Sequence, residues 1–166
     1  MSTRIHAATL DDLPVLQPLC ISLYTLSFGD HWNEGGLAWY TELVYGTEQL
    51  TKDLTSHKVN YFMLSIDDVP HAFMKLKQRG ENMEIQKLYV RPDQKGKGLG
   101  KRLMNLALSK ASELGKKMVW LEVLDTNYDA IGFYEQFGFK TARKIRLDIP
   151  YFKDELRGML IMELVL

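Results

Sequence analysis

The sequence is poor in the residues that build disulfides and metal centres. It has a single cysteine, Cys20, among 166 residues, which excludes a disulfide framework and a cysteine-rich zinc site. Cys20 falls on the apolar face of a predicted helix, where we expect an inert buried thiol. The histidines are scattered with no i, i+4 pair, so no metal site is expected; they are His6, His31, His57 and His71.

Long apolar runs and an excess of one charge are also absent. No segment approaches the ~20 apolar residues that cross a membrane. The first residues, Met1–His6, lack the apolar core of a signal peptide. The chain carries 21 Lys+Arg and 21 Asp+Glu, whereas general binders of nucleic acids or membrane surfaces carry a basic excess. We therefore expect a cytoplasmic protein that binds neither nucleic acid nor membrane.

The balanced charge conceals two halves of opposite sign. Residues 1–86 contain 6 Lys/Arg and 11 Asp/Glu, a net charge of −5. Residues 87–166 contain 15 Lys/Arg and 10 Asp/Glu, a net charge of +5. This asymmetry predicts that the protein binds ligands of opposite charge in two places.

Hydrophobic periodicity predicts strands and helices within one domain, residues 1–166. Thr9 and Asp12 form a capping box before the first helix, and Thr47 is the predicted N-cap of a later one. Because strands and helices alternate without a strict βαβ repeat, we expect a mixed α/β sheet that is antiparallel at its N-terminal part. Strands are predicted at 3–8, 61–66, 71–78, 82–90, 117–124, 139–147 and 159–166, and helices at 10–26, 34–56 (one or two), 99–114 and 127–136.

A turn rich in glycine and lysine, residues 94–101, joins a predicted strand to a predicted helix. Glycines allow positive φ, and their N–H groups together with a helix N-terminus form a cradle for phosphate or pyrophosphate. A Walker A loop would need glycine at 95 and Ser or Thr at 102, and a Rossmann turn would need its third glycine one residue after Gly100. The alternative is an ordinary turn with solvated lysines.

The segment Leu88–Lys101 resembles the acetyl-CoA-binding motif of the GNAT acetyltransferases, Arg/Gln-x-x-Gly-x-Gly/Ala. Gly98 and Gly100 take the two small positions, and Lys95 stands where the family prefers Arg or Gln. A second stretch, Asn127-x-x-Ala130-x-x-Phe133-Tyr134-x-x-Phe137-Gly138-Phe139, is similar to the same family and follows in the expected order.

The resemblance covers residues 60–147. Within the family, the helix start at 47–50 and the strand at 84–89 resemble bacterial spermidine/spermine N-acetyltransferases. The resemblance implies a single domain with a mixed central sheet, flanked by helices, whose fourth and fifth strands splay apart. It also implies acetyl-CoA as co-substrate, and the scattered histidines predict no metal beside it.

The implied cofactor-binding residues come from both motifs. The backbone groups of Leu88 and Val90 would pair with the pantetheine amides like an added strand, and the amides of 96–101 would hold the pyrophosphate. The full set is Leu88, Tyr89, Val90, Lys95, Gly96, Lys97, Gly98, Leu99, Gly100, Lys101, Asn127, Ala130, Phe133 and Tyr134.

Two side chains are the predicted catalytic pair. Strand alternation puts Glu84, Gln86 and Leu88 on one face, so Glu84 is the first candidate for the general base, at the position of the family's base glutamate. Glu122, on the opposing strand, is the alternative base or a substrate anchor. Tyr134 matches the tyrosine that protonates the leaving thiolate in the family.

The acceptor site is expected in the loop between the first helices. His31 and Trp32 there, with Glu84 and Glu122, would bind a cationic amine by charge pairing and cation–π contact. Trp32 has the alternative of anchoring the loop to the core.

The predicted function is acetyl transfer from acetyl-CoA to the primary amine of a small molecule, a polyamine being favoured, by direct attack in a ternary complex. The alternatives are a non-catalytic acetyl-CoA sensor and acetylation of a protein N-terminus or lysine. A homodimer is open, because the apolar final strand could pair within or between subunits.

Overall fold

The computed structural model describes residues 1–166 as five α-helices and seven strands joined by short loops and 3₁₀ turns. The strands are β1 (Thr3–Ala7), β2 (Val59–Ile66), β3 (Val69–Arg79), β4 (Asn82–Val90), β5 (Met118–Leu124), β6 (Lys140–Arg146) and β7 (Gly158–Val165). The helices are α1 (Leu13–Phe28), α2 (Gly36–Tyr45), α3 (Thr47–Thr55), α4 (Leu99–Glu113) and α5 (Tyr128–Gln136). None of these helices combines the length and apolar character needed to cross a bilayer.

All strands join one sheet in the order β1-β2-β3-β4-β5-β7-β6. Every neighbouring pair is antiparallel except β4 and β5, which are parallel. The predicted mixed α/β sheet with an antiparallel N-terminal part is confirmed. The apolar final strand β7 lies between β5 and β6 of the same chain, and this burial accounts for its composition.

The fourth and fifth strands part soon after they meet. Their pairing covers only Asn82–Glu84 against Met118–Trp120, although β4 continues to Val90 and β5 to Leu124. The predicted splay of these strands is therefore confirmed. Helices cover both faces of the sheet: α4 and α5 pack on one core and α1–α3 on the other.

A β-bulge in β4 overturns the expected alternation of its side chains. Lys75 of β3 lies opposite Lys87, but the next residue, Leu76, lies opposite Ile85, so Gln86 is an extra residue in β4. Glu84 and Leu88 therefore point to opposite faces, contrary to the simple period of two. Lys87 shares the face of Glu84, towards α1–α3, and Leu88 packs against the core under α4.

The structure confirms the predicted start of one helix and corrects the predicted start of another. The Thr9 capping box is present, with the Thr9 N–H donating to Asp12 Oδ2 at 2.8 Å, and a 3₁₀ turn precedes α1. The expectation for Thr47 is wrong, because the N-cap of α3 is Gly46 and Thr47 is its first residue. A Cβ at Gly46 would collide with the carbonyl oxygen of Glu42, so the close junction of α2 and α3 requires glycine there.

A buried ion pair ties α3 to the sheet. Lys75 Nζ lies 2.8 Å from Asp53 Oδ2, with side-chain exposures of 9% and 8%. Gln49 Nε2 donates to Asp53 Oδ1 at 3.0 Å, and the Lys75 ammonium lies 5.5 Å from the centre of the Tyr61 ring. These contacts compensate the cost of removing both charges from water.

Replacing one member of this pair should destabilise the fold. Asp53→Asn leaves the Lys75 ammonium buried without a counter-charge, and we expect the free energy of unfolding to fall by about 3–5 kcal/mol. Urea denaturation measures this change. The matched control is Glu48→Gln in the exposed pair with Lys52, where a loss below about 0.5 kcal/mol is expected. Equal losses in the two variants would contradict a stabilising buried pair.

Candidate functional site

A cleft of about 1230 Å³ opens where β4 and β5 part. The C-terminal half of β4, the glycine-rich turn and α5 form one part of its wall. Residues of α1, α2 and the β6–β7 connection form the other part. One continuous cavity thus joins the turn on one side of the sheet to the aromatic helices on the other.

Backbone groups of β4 face this cleft. The Arg91 N–H donates to His71 O of β3 at 2.8 Å, so alternate residues Tyr89 and Lys87 also direct their backbone groups towards β3. Leu88 and Val90 then direct theirs towards β5. Since the pairing with β5 ends at Glu84, these groups open into the gap, where an extended ligand can bind them as a strand would.

The turn after β4 has the conformation of an anion cradle. Gly96 and Gly98 have φ of +80° and +79°, in the left-handed region that glycine adopts without strain. Gly98 is the N-cap of α4 and supplies no side chain to the first helical amides, which are left for a ligand. The side chains of Lys95 and Lys101 belong to the cleft wall. The donors present fit a pyrophosphate.

One predicted member of the cofactor set lies outside the cleft wall. Lys97 does not line the cleft, and its Nζ donates to Gln94 Oε1 at 3.1 Å. Its role in binding the cofactor stays a prediction. The other thirteen residues of the set contribute to the cleft wall: Leu88, Tyr89, Val90, Lys95, Gly96, Gly98, Leu99, Gly100, Lys101, Asn127, Ala130, Phe133 and Tyr134.

Helix α5 orients Tyr134 towards the gap. The Asn127 side chain caps the helix by accepting from the Ala130 N–H at 3.4 Å. Phe133 packs against α4 so closely that a Cβ on Gly100 would lie 3.3 Å from its Cζ. Burial raises the pKa of Tyr134 to about 12, so its phenol keeps its proton at neutral pH and can donate it.

The two predicted carboxylates share a face but differ in their partners. Glu84 is buried, and its Oε1 accepts from Arg79 Nε at 2.9 Å and from Gln86 Nε2 at 3.0 Å. Glu122 faces the same side, because its neighbours Leu121 and Val123 point into the opposite core. It has no cationic group within 4.0 Å.

The environment of Glu122 favours its protonated form. Partial desolvation raises the pKa of Glu122, and the nearby charge of Glu84 raises it further, against the opposing effects of Lys87, Arg143 and Arg79. A carboxylate with a raised pKa and no counter-ion can take a proton from a ligand in the cleft.

The half of the cleft lined by α1, α2 and the β6–β7 connection has an aromatic wall, and we call it the acceptor half because the sequence predicts the acceptor site there. Tyr24, Phe28, Tyr40 and Tyr89 line it, with Tyr24 and Tyr40 ring centres 4.8 Å apart. The Lys87 ammonium enters this wall and donates to the Tyr40 hydroxyl at 2.7 Å. Sequence reasoning missed Lys87 and Tyr40, since only the bulge at Gln86 turns Lys87 to this face.

Of the two predicted acceptor residues in the first loop, only one lines the cleft. His31 lines the cleft, with its Nδ1 2.9 Å from Asp30 Oδ1, and this contact lowers the pKa of Asp30. Trp32 does not line the cleft; it is 6% exposed, and its Nε1 donates to the Tyr24 hydroxyl at 3.1 Å. Trp32 therefore anchors the loop to the core, the alternative to substrate binding.

A backbone bridge closes one side of the acceptor half. Trp32 pairs with Phe152 in an isolated antiparallel bridge. The Asn33 N–H donates to Tyr151 O at 2.7 Å, and the Lys153 N–H donates to His31 O at 3.0 Å. The α1–α2 loop and the β6–β7 connection are thereby held together beside the cleft.

The raised pKa of Glu122 predicts a pH-dependent cost to stability. The charged form is disfavoured in the folded state, so the cost is complete above the folded pKa and disappears below the unfolded value of 4.5. We expect Glu122→Gln to raise Tm at pH 7.5, with the gain shrinking as the pH falls towards 4.5. Thermal denaturation at several pH values measures this.

The exposed Glu113 is the control residue for that measurement, since its carboxylate lies 3.9 Å from Lys110 on the outer surface of α4. Glu113→Gln should give no gain in Tm at pH 7.5. A Glu122→Gln variant without a gain at pH 7.5, or with a gain independent of pH, would contradict the raised pKa.

Comparison with known proteins identifies the family. Residues 23–139 match the model of the Acetyltransferase (GNAT) family. An uncharacterized N-acetyltransferase from the pepI 3' region of Lactobacillus delbrueckii subsp. lactis is 26% identical over 143 residues, which are 81% of this chain and 83% of that protein. The peptidyl-lysine N-acetyltransferase YjaB of Salmonella typhimurium is 33% identical over 101 residues, 61% of this chain and 63% of that protein.

Solved structures share the fold. The PaiA N-acetyltransferase of Thermoplasma acidophilum in complex with coenzyme A superposes with a TM-score of 0.84 at 21% identity, covering 100% of both chains. The ribosomal-protein-S18-alanine N-acetyltransferase of Escherichia coli gives a TM-score of 0.72 at 21% identity, covering 99% of this chain and 94% of that one. With the family match and the splayed β4 and β5, these findings show that the chain belongs to the GNAT family of acetyl-CoA-dependent N-acetyltransferases.

Proposed function

We propose that this N-acetyltransferase acts on the primary amine of a small molecule, by direct attack in a ternary complex. The observation that carries the proposal is the parting of β4 and β5 beyond Glu84. It creates one cleft that has an anion cradle, a protonated phenol and a carboxylate without a counter-ion on its wall. Every residue in the proposal comes from this chain, and a homodimer stays a prediction.

The cofactor side of the cleft provides binding groups from backbone and lysines. Acetyl-CoA supplies the acetyl group as a thioester. In the proposal, the amides at the start of α4, with Lys95 and Lys101, hold its pyrophosphate. The free backbone groups of Leu88 and Val90 hold the pantetheine amides, and the Leu88 N–H stabilises negative charge on the acetyl oxygen during attack.

Glu122 removes the proton of the acceptor amine in this proposal. An alkyl ammonium has a pKa near 10.4, so a base must accept its proton before attack. Glu84 was the first candidate from sequence, but its carboxylate is held by Arg79 and Gln86. Glu122 has a raised pKa and no such partners, which supports it as the base. The negative charge of Glu84 then contributes by raising that pKa.

Tyr134 acts as the general acid. Its pKa of about 12 keeps the phenol protonated at neutral pH. The hydroxyl donates this proton to the sulfur as the thiolate departs, so the free thiol leaves.

The side chains of the acceptor half indicate the class of acceptor. Glu122 and the aromatic wall of Tyr24, Phe28 and Tyr40 suit an acceptor with a cationic amine, the class to which the polyamine predicted from the sequence belongs. A protein lysine or N-terminus is the second candidate, favoured by exposed Leu26 and Leu43 at the cleft, which could contact a polypeptide.

Release of free CoA across a panel of amines tests the proposed function. We expect acceptor-dependent release with at least one small primary amine, in a panel that includes polyamines, amino acids, aminoglycosides and peptides. Tyr134→Phe should lower kcat by about 10²–10⁴-fold, because the leaving thiolate loses its proton donor. The Kd for acetyl-CoA, measured by calorimetry, should change little.

Three outcomes would contradict parts of this proposal. Equal kcat for Tyr134→Phe and wild type would remove Tyr134 from the mechanism. Binding of acetyl-CoA without release for any acceptor would favour a non-catalytic sensor over the proposed small-molecule activity, and release with peptides alone would favour a protein acceptor.

A glycine in the cradle provides a separate test of the cofactor site. Gly98→Ala puts a Cβ at a φ of +79°, which costs about 1–2 kcal/mol and turns the first amides of α4 away from their alignment. We expect the Kd for acetyl-CoA to rise by about tenfold. Gly132→Ala in α5 is the control, since a Cβ there meets nothing within 4 Å. Equal Kd values for both variants would contradict the cradle.

A further inference from the structure

Lys87 has no role in the mechanism above, although it lies in the cleft. The bulge at Gln86 turns its side chain to the acceptor half. There the ammonium donates to the Tyr40 hydroxyl at 2.7 Å and lies 5.3 Å and 6.0 Å from the ring centres of Tyr40 and Tyr24. An ammonium is thus held in position by aromatic side chains.

Two other cations on this face of the sheet have a carboxylate partner, whereas the Lys87 ammonium has none. Lys75 contacts Asp53 at 2.8 Å, and Arg79 contacts Glu84 at 2.9 Å. Lys87 is partly buried and has no carboxylate within 4.0 Å. Since a partly desolvated charge without a partner is costly, an anion from outside the chain would recover that cost when it binds.

Tyr40 extends the donor set of Lys87. Its hydroxyl oxygen accepts from Lys87, and its own proton makes no hydrogen bond within the chain. The ammonium has two further N–H groups. The two side chains therefore present donors without a competing acceptor, which is the arrangement that binds both oxygens of a carboxylate.

Glu122 lies in the same cleft and on the same face, with no cation within 4.0 Å. The acceptor half therefore carries one negative and one positive group, neither of which is neutralised by a direct ion pair. A ligand with an ammonium and a carboxylate complements both. A polyamine complements only Glu122 and would bring a second ammonium towards Lys87, which is repulsive.

We propose that Lys87 and Tyr40 form a carboxylate clamp, and that the acceptor of this enzyme is a small amino carboxylate. Its amine lies at Glu122 and its carboxylate at the clamp. This inference rests on the proposed function, and it selects amino carboxylates over polyamines within the class of primary amines.

A matched series of acceptors tests the clamp. Free-CoA release is measured with glycine and with ω-amino carboxylates of three to six carbons, each beside its own carboxamide, and with putrescine and spermidine. For at least one chain length we expect kcat/KM for the acid to exceed that for the amide by about tenfold or more, mainly through KM. The polyamines should be poorer acceptors than that acid.

Variants of the clamp identify the source of the preference. Lys87→Met should reduce the acid-to-amide ratio to near one, Tyr40→Phe should reduce it partly, and Lys87→Arg should retain most of it. The control Lys144→Met, at an exposed position of β6 outside the cleft, should keep the wild-type ratio. A wild-type ratio near one at every chain length, or an equal loss for acid and amide in Lys87→Met, would overturn the clamp.

Failure of the clamp and failure of the proposed function give different results. If amines or polyamines release CoA without any preference for acids, the result supports the proposed acetyltransferase function and contradicts the carboxylate clamp. If no acceptor releases CoA, calorimetry of the same acids and amides with the CoA-bound protein decides the clamp. Tighter binding of an acid that Lys87→Met abolishes supports it, and equal binding overturns it.

Discussion

The whole site depends on the short contact between two parallel strands. β4 and β5 pair over Asn82–Glu84 only, and their divergence leaves backbone donors and acceptors on β4 without a strand partner. In a closed sheet those groups would bind β5, and no extended ligand could reach them. The same divergence admits Tyr134 from one face of the sheet and Glu122 from the other to a single cleft. In the proposed function, cofactor binding and acetyl transfer thus depend on the same divergence of β4 and β5.

A single inserted residue decides which side chains of β4 face the acceptor half of the cleft. With regular alternation, Glu84 would share the face of Leu88, and Lys87 would lie under α4. The bulge at Gln86 reverses the order, so Glu84 and Lys87 both face the aromatic helices while Leu88 enters the core. Bulges next to active sites commonly re-aim side chains in this way. Here the bulge brings a lysine into the acceptor half of an N-acetyltransferase.

The opposite net charges of the two halves of the chain do not by themselves determine which charged groups face a ligand. The anion cradle does belong to the basic half, through Lys95 and Lys101. The acceptor half draws its free negative group, Glu122, and its free positive group, Lys87, from that same basic half. Glu84 of the acidic half is held by Arg79. Local pairing, rather than net charge, determines which groups a ligand meets, because close ion pairs cancel at a distance.

The sequence by itself determined the elements and the cradle, because both are local properties. Periodicity predicted β4 and α4, and the glycines at 96 and 98 specify positive φ without reference to the rest of the chain. Tertiary structure alone decided the facing of Lys87, the core position of Trp32 and the different partners of Glu84 and Glu122. These depend on strand register and on contacts between residues far apart in sequence, which no local pattern encodes.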